Sequence, residues 1–207
     1  MYNTVIFDVD GTLIDTEVAI LNSLQKMLRI HYGKQMEQSE LLFAIGIPGS
    51  DSLPKLGIHD IDKGNELWNH YMKDYYDSIT VFDGSLELVQ ALAERNITQG
   101  IVTSKTGIEL RDDFEPRELS KYLTHVVCAD DTKKHKPNPE PLFKFFEISG
   151  ADAKKSIYIG DTIYDYQCAK DAGIDFGLAL WGCRTPEKID ATYKLKSPLD
   201  ILELIDK

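Results

Sequence analysis

Beyond residue 85 the chain alternates between two kinds of segment. Short β-branched or aromatic runs at 97–103, 125–128, 156–159 and 176–181 read as strands. Between and after them, residues 85–95, 106–114, 139–148, 164–172 and 198–205 read as helices. Asn138 is expected to cap the third of these, with Pro139 at the first helical position, where no N–H is needed. Gly173 closes the fourth. This alternation predicts a parallel sheet with helices on both faces.

The alternation begins at residues 4–7 (TVIF) and is interrupted at once. From 16 to 30, Ile20, Leu21, Leu24, Met27 and Leu28 recur at helical steps, with Asp15 or Thr16 as the cap. Helical fragments at 41–45, 51–56 and 63–76 follow, broken by Gly46-Ile47-Pro48-Gly49. Residues 16–78 contain no strand pattern. The expected architecture is therefore α/β. A Rossmann-like, doubly wound parallel core (1–15 and 81–207) carries an inserted α-helical cap (16–80) on short linkers, 13–15 and 79–84.

Composition narrows the partners. The 207 residues include 23 Lys plus Arg against 34 Asp plus Glu, a net charge of −11. Such a surface argues against a nucleic-acid or anionic-membrane footprint. No apolar run approaches the roughly 18 residues of a membrane span, and the N-terminal residues lack a signal-peptide pattern. Cys128, Cys168 and Cys183 have no framework spacing, so reduced thiols in a cytoplasmic protein are expected. Trp68, Tyr71, Tyr75 and Tyr76 crowd one cap segment, as internal packing or a dimer patch; a monomer or homodimer is expected.

Chemistry concentrates at strand ends. Asp8-Val9-Asp10-Gly11-Thr12 follows the first strand, setting two carboxylates at the sheet edge where ligands bind in open α/β folds. The Gly-Thr turn lets the backbone fold over one reacting group. An EF-hand loop is excluded, because Gly11 falls at position four rather than six. The strand at 97–103 ends in Thr103-Ser104-Lys105, where the Thr103 hydroxyl and Ser104 N–H could bind phosphate oxygens. His135-Lys136-Pro137 holds Lys136 extended before proline, able to aim its ammonium inward. The strand at 156–159 ends in Gly160-Asp161, with Asp165 near the next helix start. Asp8, Asp10 and Asp161 together form a hard oxygen cluster suited to Mg²⁺.

In this order the four motifs resemble the haloacid dehalogenase-like hydrolases over nearly the whole chain. Gly46-Ile47-Pro48 and Lys136-Pro137-Asn138-Pro139 resemble the phosphoglycolate phosphatase-like group. The resemblance implies a Mg²⁺-dependent phosphatase acting on a small phosphorylated metabolite. It makes Asp8 the nucleophile that becomes an aspartyl-phosphate and Asp10 the acid and base. Lys136 and Thr103 complete the catalytic set, with Val9, Gly11, Thr12 and Ser104 around the phosphoryl group. Mg²⁺ would be held by Asp8, the Asp10 carbonyl and Asp161, with Asp165 either touching the ion or reaching it through one of these ligands or a water.

Rival readings have their own signatures. A dehalogenase would lack an acid at Asp10. A sugar phosphomutase of the β-phosphoglucomutase branch would carry His where Ile20 stands. A pyrophosphatase or nucleotidase shares every motif. A non-enzymatic phospho-aspartate switch would carry its phosphorylated Asp after a later strand, without a helical insertion.

Overall fold

The computed structural model describes residues 1–205. β1 (Thr4–Phe7) is buried throughout. Val5 and Phe7 enter one apolar layer and Ile6 the other, the alternation that a pleated strand imposes. After β1 comes a short strand, β2 (Ile14–Asp15), and then only helices. These are α1 (Glu17–Tyr32), α2 (Gln38–Leu41), α3 (Gly49–Ser52) and α4 (Ile61–Met72), with 3-10 turns at Leu42–Ala44, Leu53–Leu56 and Lys73–Ser78. β3 (Thr80–Val81) then pairs antiparallel with β2, so the two linkers form a narrow two-stranded stalk.

α1 is helical for local reasons. Leu21, Leu24, Met27 and Leu28 bury one face, and Gly33 ends the helix in the left-handed conformation, its N–H bonded to the Leu28 carbonyl. That face packs on α4, where Trp68 Nε1 donates to Ser23 Oγ at 2.9 Å. Trp68 is buried and Tyr71, Tyr75 and Tyr76 are half-buried against the same cluster.

The core resumes with α5 (Ser85–Glu94), β4 (Thr98–Val102), α6 (Gly107–Asp113), β5 (His125–Val127) and α7 (Glu140–Ser149). β6 (Ser156–Gly160), α8 (Ile163–Ala172), β7 (Asp175–Ala179), β8 (Tyr193–Leu195) and α9 (Leu202–Ile205) follow. Six strands form one parallel sheet in the order β5-β4-β1-β6-β7-β8. The chain steps outward from β1 to β5 and then returns to the other side of β1. This is the doubly wound order, and it opens a crevice at the carboxyl end of β1. α7 and α8 cover the face that carries Ile6, Val102, Tyr158 and Phe176. α5, α6 and α9 cover the opposite face, whose apolar cluster runs on into the cap through Leu24, Leu53 and Trp68.

Some elements depart from expectation. β8 was not foreseen: three residues that pair with β7 at the sheet edge, with only Leu195 buried, carry too short an apolar signal. The strand expected to reach residue 181 ends at Ala179, because Trp181 turns back and donates its Nε1–H to the Thr12 carbonyl at 2.9 Å. α7 starts at Glu140, with Pro139 at the cap position; Asn138 serves from outside, its Oδ1 accepting the Glu140 N–H. Thr16 caps α1 by position only, and the Asp15 carboxylate accepts the Glu17 N–H. The last helix begins as a 3-10 turn at Pro198–Ile201.

Candidate active site

The site forms where β1 and β6 end side by side. Phe7 pairs with Ile159, and the Asp8 N–H continues the ladder to the Ile159 carbonyl at 2.8 Å. Asp8 is thereby fixed at the crevice with 2% of its surface exposed. The chain then folds over itself, as the carbonyl of Val9 accepts the N–H groups of Thr12, Leu13 and Ile14. Gly11 makes the turn at φ +78°, and its N–H bonds to the Ile14 carbonyl. A Cβ at Gly11 would lie 2.3 Å from Asp161 Oδ2, so only glycine leaves room for that carboxylate. The N–H groups of Gly11 and Thr12 are thus spent on the turn. Thr12 instead reaches the site through its hydroxyl, which donates to Asp161 Oδ1 at 3.2 Å.

Lys136 occupies the centre. Its Nζ lies 2.9 Å from Asp8 Oδ1 and 2.6 Å from Asp165 Oδ1, with the side chain 1% exposed. Tyr158, on β6, donates its hydroxyl to the Val102 carbonyl and also lies 2.9 Å from Asp165 Oδ1. The second oxygen of Asp165 accepts the Thr162 N–H and hydroxyl. Both Asp165 oxygens are therefore engaged, which makes it the anchor of Lys136.

A second buried lysine was not singled out from the sequence. Lys105 Nζ lies 3.0 Å from Asp10 Oδ1 and 2.6 Å from Asp113 Oδ2. Its place directly after Thr103-Ser104 was the available signal. Asp113, at the end of α6, and Tyr158 gave none. Thr103 is buried and its Oγ1 accepts the Lys105 N–H at 3.2 Å. The Ser104 hydroxyl donates to the Gly46 carbonyl in the cap at 2.9 Å. It is one of several ties between cap and core, with Lys73–Asp112 at 3.7 Å and His135–Asp51 at 3.2 Å.

Burial governs the electrostatics. It pushes the Asp8 carboxyl up to about 7; Lys136 opposes that rise, while Asp165 and Asp10 add to it. Asp161 is driven well above the carboxylate range by burial, then by Asp165 and Asp8. Lys136 is held above its ordinary value, because Asp165 and Asp8 outweigh its own burial. Carboxylate oxygens of Asp8, Asp161 and Asp165 all lie within 4.8 Å of one another, and all three residues are buried. An all-oxygen, acid-rich set of this kind fits a hard divalent cation such as Mg²⁺. The Asp10 carboxylate stands outside the group and turns toward Lys105. Any Asp10 contribution to a metal would thus come from its carbonyl.

A cavity of about 70 Å³ separates these groups from the cap. Asp8, Asp10, Ser104 and Lys105 form its floor, and Ile20, Ile47, Asn69, Trp68 and Met72 its roof.

A doubly wound sheet with a helical insertion after its first strand thus carries an acid-and-lysine site at its switch point. The model of the haloacid dehalogenase-like hydrolases matches residues 5–179, and the chain belongs to that family. Its relatives include a pyrophosphatase, PpaX, of Halalkalibacterium halodurans, 29% identical, with 98% of this chain and 96% of that one covered. Among solved structures, a Lactobacillus plantarum protein described as a candidate phosphoglycolate phosphatase is 30% identical, with a TM-score of 0.90 over 99% of both chains. A CbbY structure from Rhodobacter sphaeroides shares the fold, at 16% identity and a TM-score of 0.83 over 97% of this chain and 96% of that one.

Proposed function

We propose that this protein is a Mg²⁺-dependent phosphatase that hydrolyses small phosphate monoesters through an aspartyl-phosphate on Asp8, as phosphoglycolate phosphatase-like enzymes do. The observation that carries the reading is the Asp8 carboxylate, buried at the switch point, open to the cavity and 2.9 Å from a buried ammonium. In the proposed reaction an Asp8 oxygen bonds to phosphorus as the bond to the leaving oxygen breaks. Asp10 gives that oxygen its proton, then takes one from the water that cleaves the acyl phosphate. Inorganic phosphate departs, Asp8 is returned as the carboxylate, and Asp10 again carries the proton with which it began. Lys136 stabilises charge on the phosphoryl oxygens, and Thr103 with the N–H groups of Val9, Asp10 and Ser104 holds the equatorial ones. A bound Mg²⁺ would supply further positive charge to Asp8 and the phosphoryl group; Asp8, Asp161 and the Asp10 carbonyl would hold it, with Asp165 behind them.

The whole-length resemblance to PpaX favours a second reading, in which the scissile bond is the anhydride of pyrophosphate. The acid at Asp10 would serve either leaving group.

The test is turnover of p-nitrophenyl phosphate with Mg²⁺ by the purified protein. Asp8→Asn is nearly isosteric and is expected to keep the melting temperature yet lose at least about a thousandfold in kcat/KM. A mutant of near wild-type activity would remove Asp8 as nucleophile. Parallel assays on phosphoglycolate and pyrophosphate decide between ester and anhydride.

A further inference from the structure

Two buried lysines pair with four carboxylates in and beside this site. Lys136 lies between Asp8 and Asp165, and Lys105 between Asp10 and Asp113. Lysine is rarely buried this deeply unless paired, and Lys105 is 6% exposed. Its backbone is pinned at both ends: its N–H donates to Thr103 Oγ1, and its carbonyl accepts the Ala129 N–H at 2.8 Å. Asp113 is pinned too, since its carbonyl accepts from Arg117 Nε at 2.8 Å. The ammonium is therefore delivered to Asp10 from a rigid frame. Asp10 Oδ1 is buried and makes no hydrogen bond, so the Lys105 charge at 3.0 Å is what fixes the direction of this carboxylate.

Resting on the phosphatase reading, we propose that Lys105, anchored by Asp113, is a positioning residue that aims Asp10 at the leaving oxygen. Asp113 has a second function in this arrangement. Its negative charge offsets the ammonium, so the pair orients Asp10 without setting a net positive charge beside a group that must carry a proton. Lys105 thereby acts on leaving-group departure and not on capture of the phosphoryl group, which falls to Lys136.

The readout is leaving-group dependence. An alkoxide leaves poorly without a proton, whereas p-nitrophenolate departs as the anion. kcat/KM reports only the steps through leaving-group departure, so slow hydrolysis of the acyl phosphate does not mask the effect. In Lys105→Met, kcat/KM for glycerol phosphate is expected to fall roughly 10²-fold, and that for p-nitrophenyl phosphate less than about tenfold. Asp113→Asn should move both in the same sense by less. Lys105→Met leaves two buried carboxylates unpaired; if it fails to fold, the double variant with Asp113→Asn removes one charge of each sign and should show the same split. Equal losses on both esters would overturn the proposal, as would a rise in KM confined to substrates with an anionic leaving group, which would make Lys105 a substrate-binding cation. A wild-type protein with no turnover that Asp8→Asn abolishes would instead overturn the phosphatase reading, and this proposal with it.

Discussion

Lys136 and Asp8 form an ion pair of 2.9 Å inside the protein, although one follows the first strand of the core and the other precedes the helix α7. Lys136 is also 2.6 Å from Asp165, so one ammonium balances two buried carboxylates. Lys136→Met keeps the side-chain length and removes the charge. It is expected to cost about 3–5 kcal/mol in urea unfolding, because it strands buried charges. It should also depress kcat/KM for every phosphate ester together. A stable variant with unchanged kinetics would show that Asp8 needs no cation there.

Metal removal should act on stability as well as rate. With no cation, Asp8, Asp161 and Asp165 repel one another in a buried space, and burial already pushes Asp161 far up. Mg²⁺ is expected to raise the melting temperature in proportion to the logarithm of its concentration, as any ligand of the native state does. EDTA should abolish turnover, Mg²⁺ should restore it, and Ca²⁺ should inhibit, since its six to eight flexible ligands admit a bidentate Asp8. Asp161→Asn should flatten the thermal response. Full activity in excess chelator would exclude a metal-dependent site.

Gly11 is expected to be irreplaceable for a steric reason. An alanine Cβ would meet Asp161 Oδ2 at 2.3 Å and hold a φ of +78° that L residues avoid. Gly11→Ala should weaken Mg²⁺ binding and activity together. Gly150→Ala is the control: its φ is +67°, but nothing lies within 4 Å of the added carbon. Its cost should be about 1–2 kcal/mol of backbone strain, with the metal response intact. Thermal melts with and without Mg²⁺ separate the two.

The cap should set the ranking of substrates. Ile47 and Asn69 line the roof of the cavity, and Gly46 takes a φ of +84° in the loop between them and the core. Substitutions such as Ile47→Ala and Asn69→Ala are expected to change relative kcat/KM among three phosphate esters. They should shift p-nitrophenyl phosphate least, as its small body makes few cap contacts. A uniform loss over all substrates would move the selective contacts elsewhere in the cap.

Much of this protein is written locally. A strand buried on both faces must be an unbroken apolar run, so β1 and β6 could be read from residues 4–7 and 156–159 alone, together with the acids that end them. The all-helical stretch after the first strand was legible for the same reason, since a 3.6-residue period needs no distant partner. Lys136 was visible as a lysine before proline, aimed inward, but its pairing with Asp165 was not. The Lys105–Asp113 pair, the Tyr158 hydroxyl beside Asp165, the turn of Trp181 onto Thr12 and the edge strand β8 appeared only in three dimensions. Hydrophobic period records which face of an element is covered. Which side chains then meet at the sheet edge depends on the order in which the strands lie, and that order is decided by packing between segments far apart in the chain.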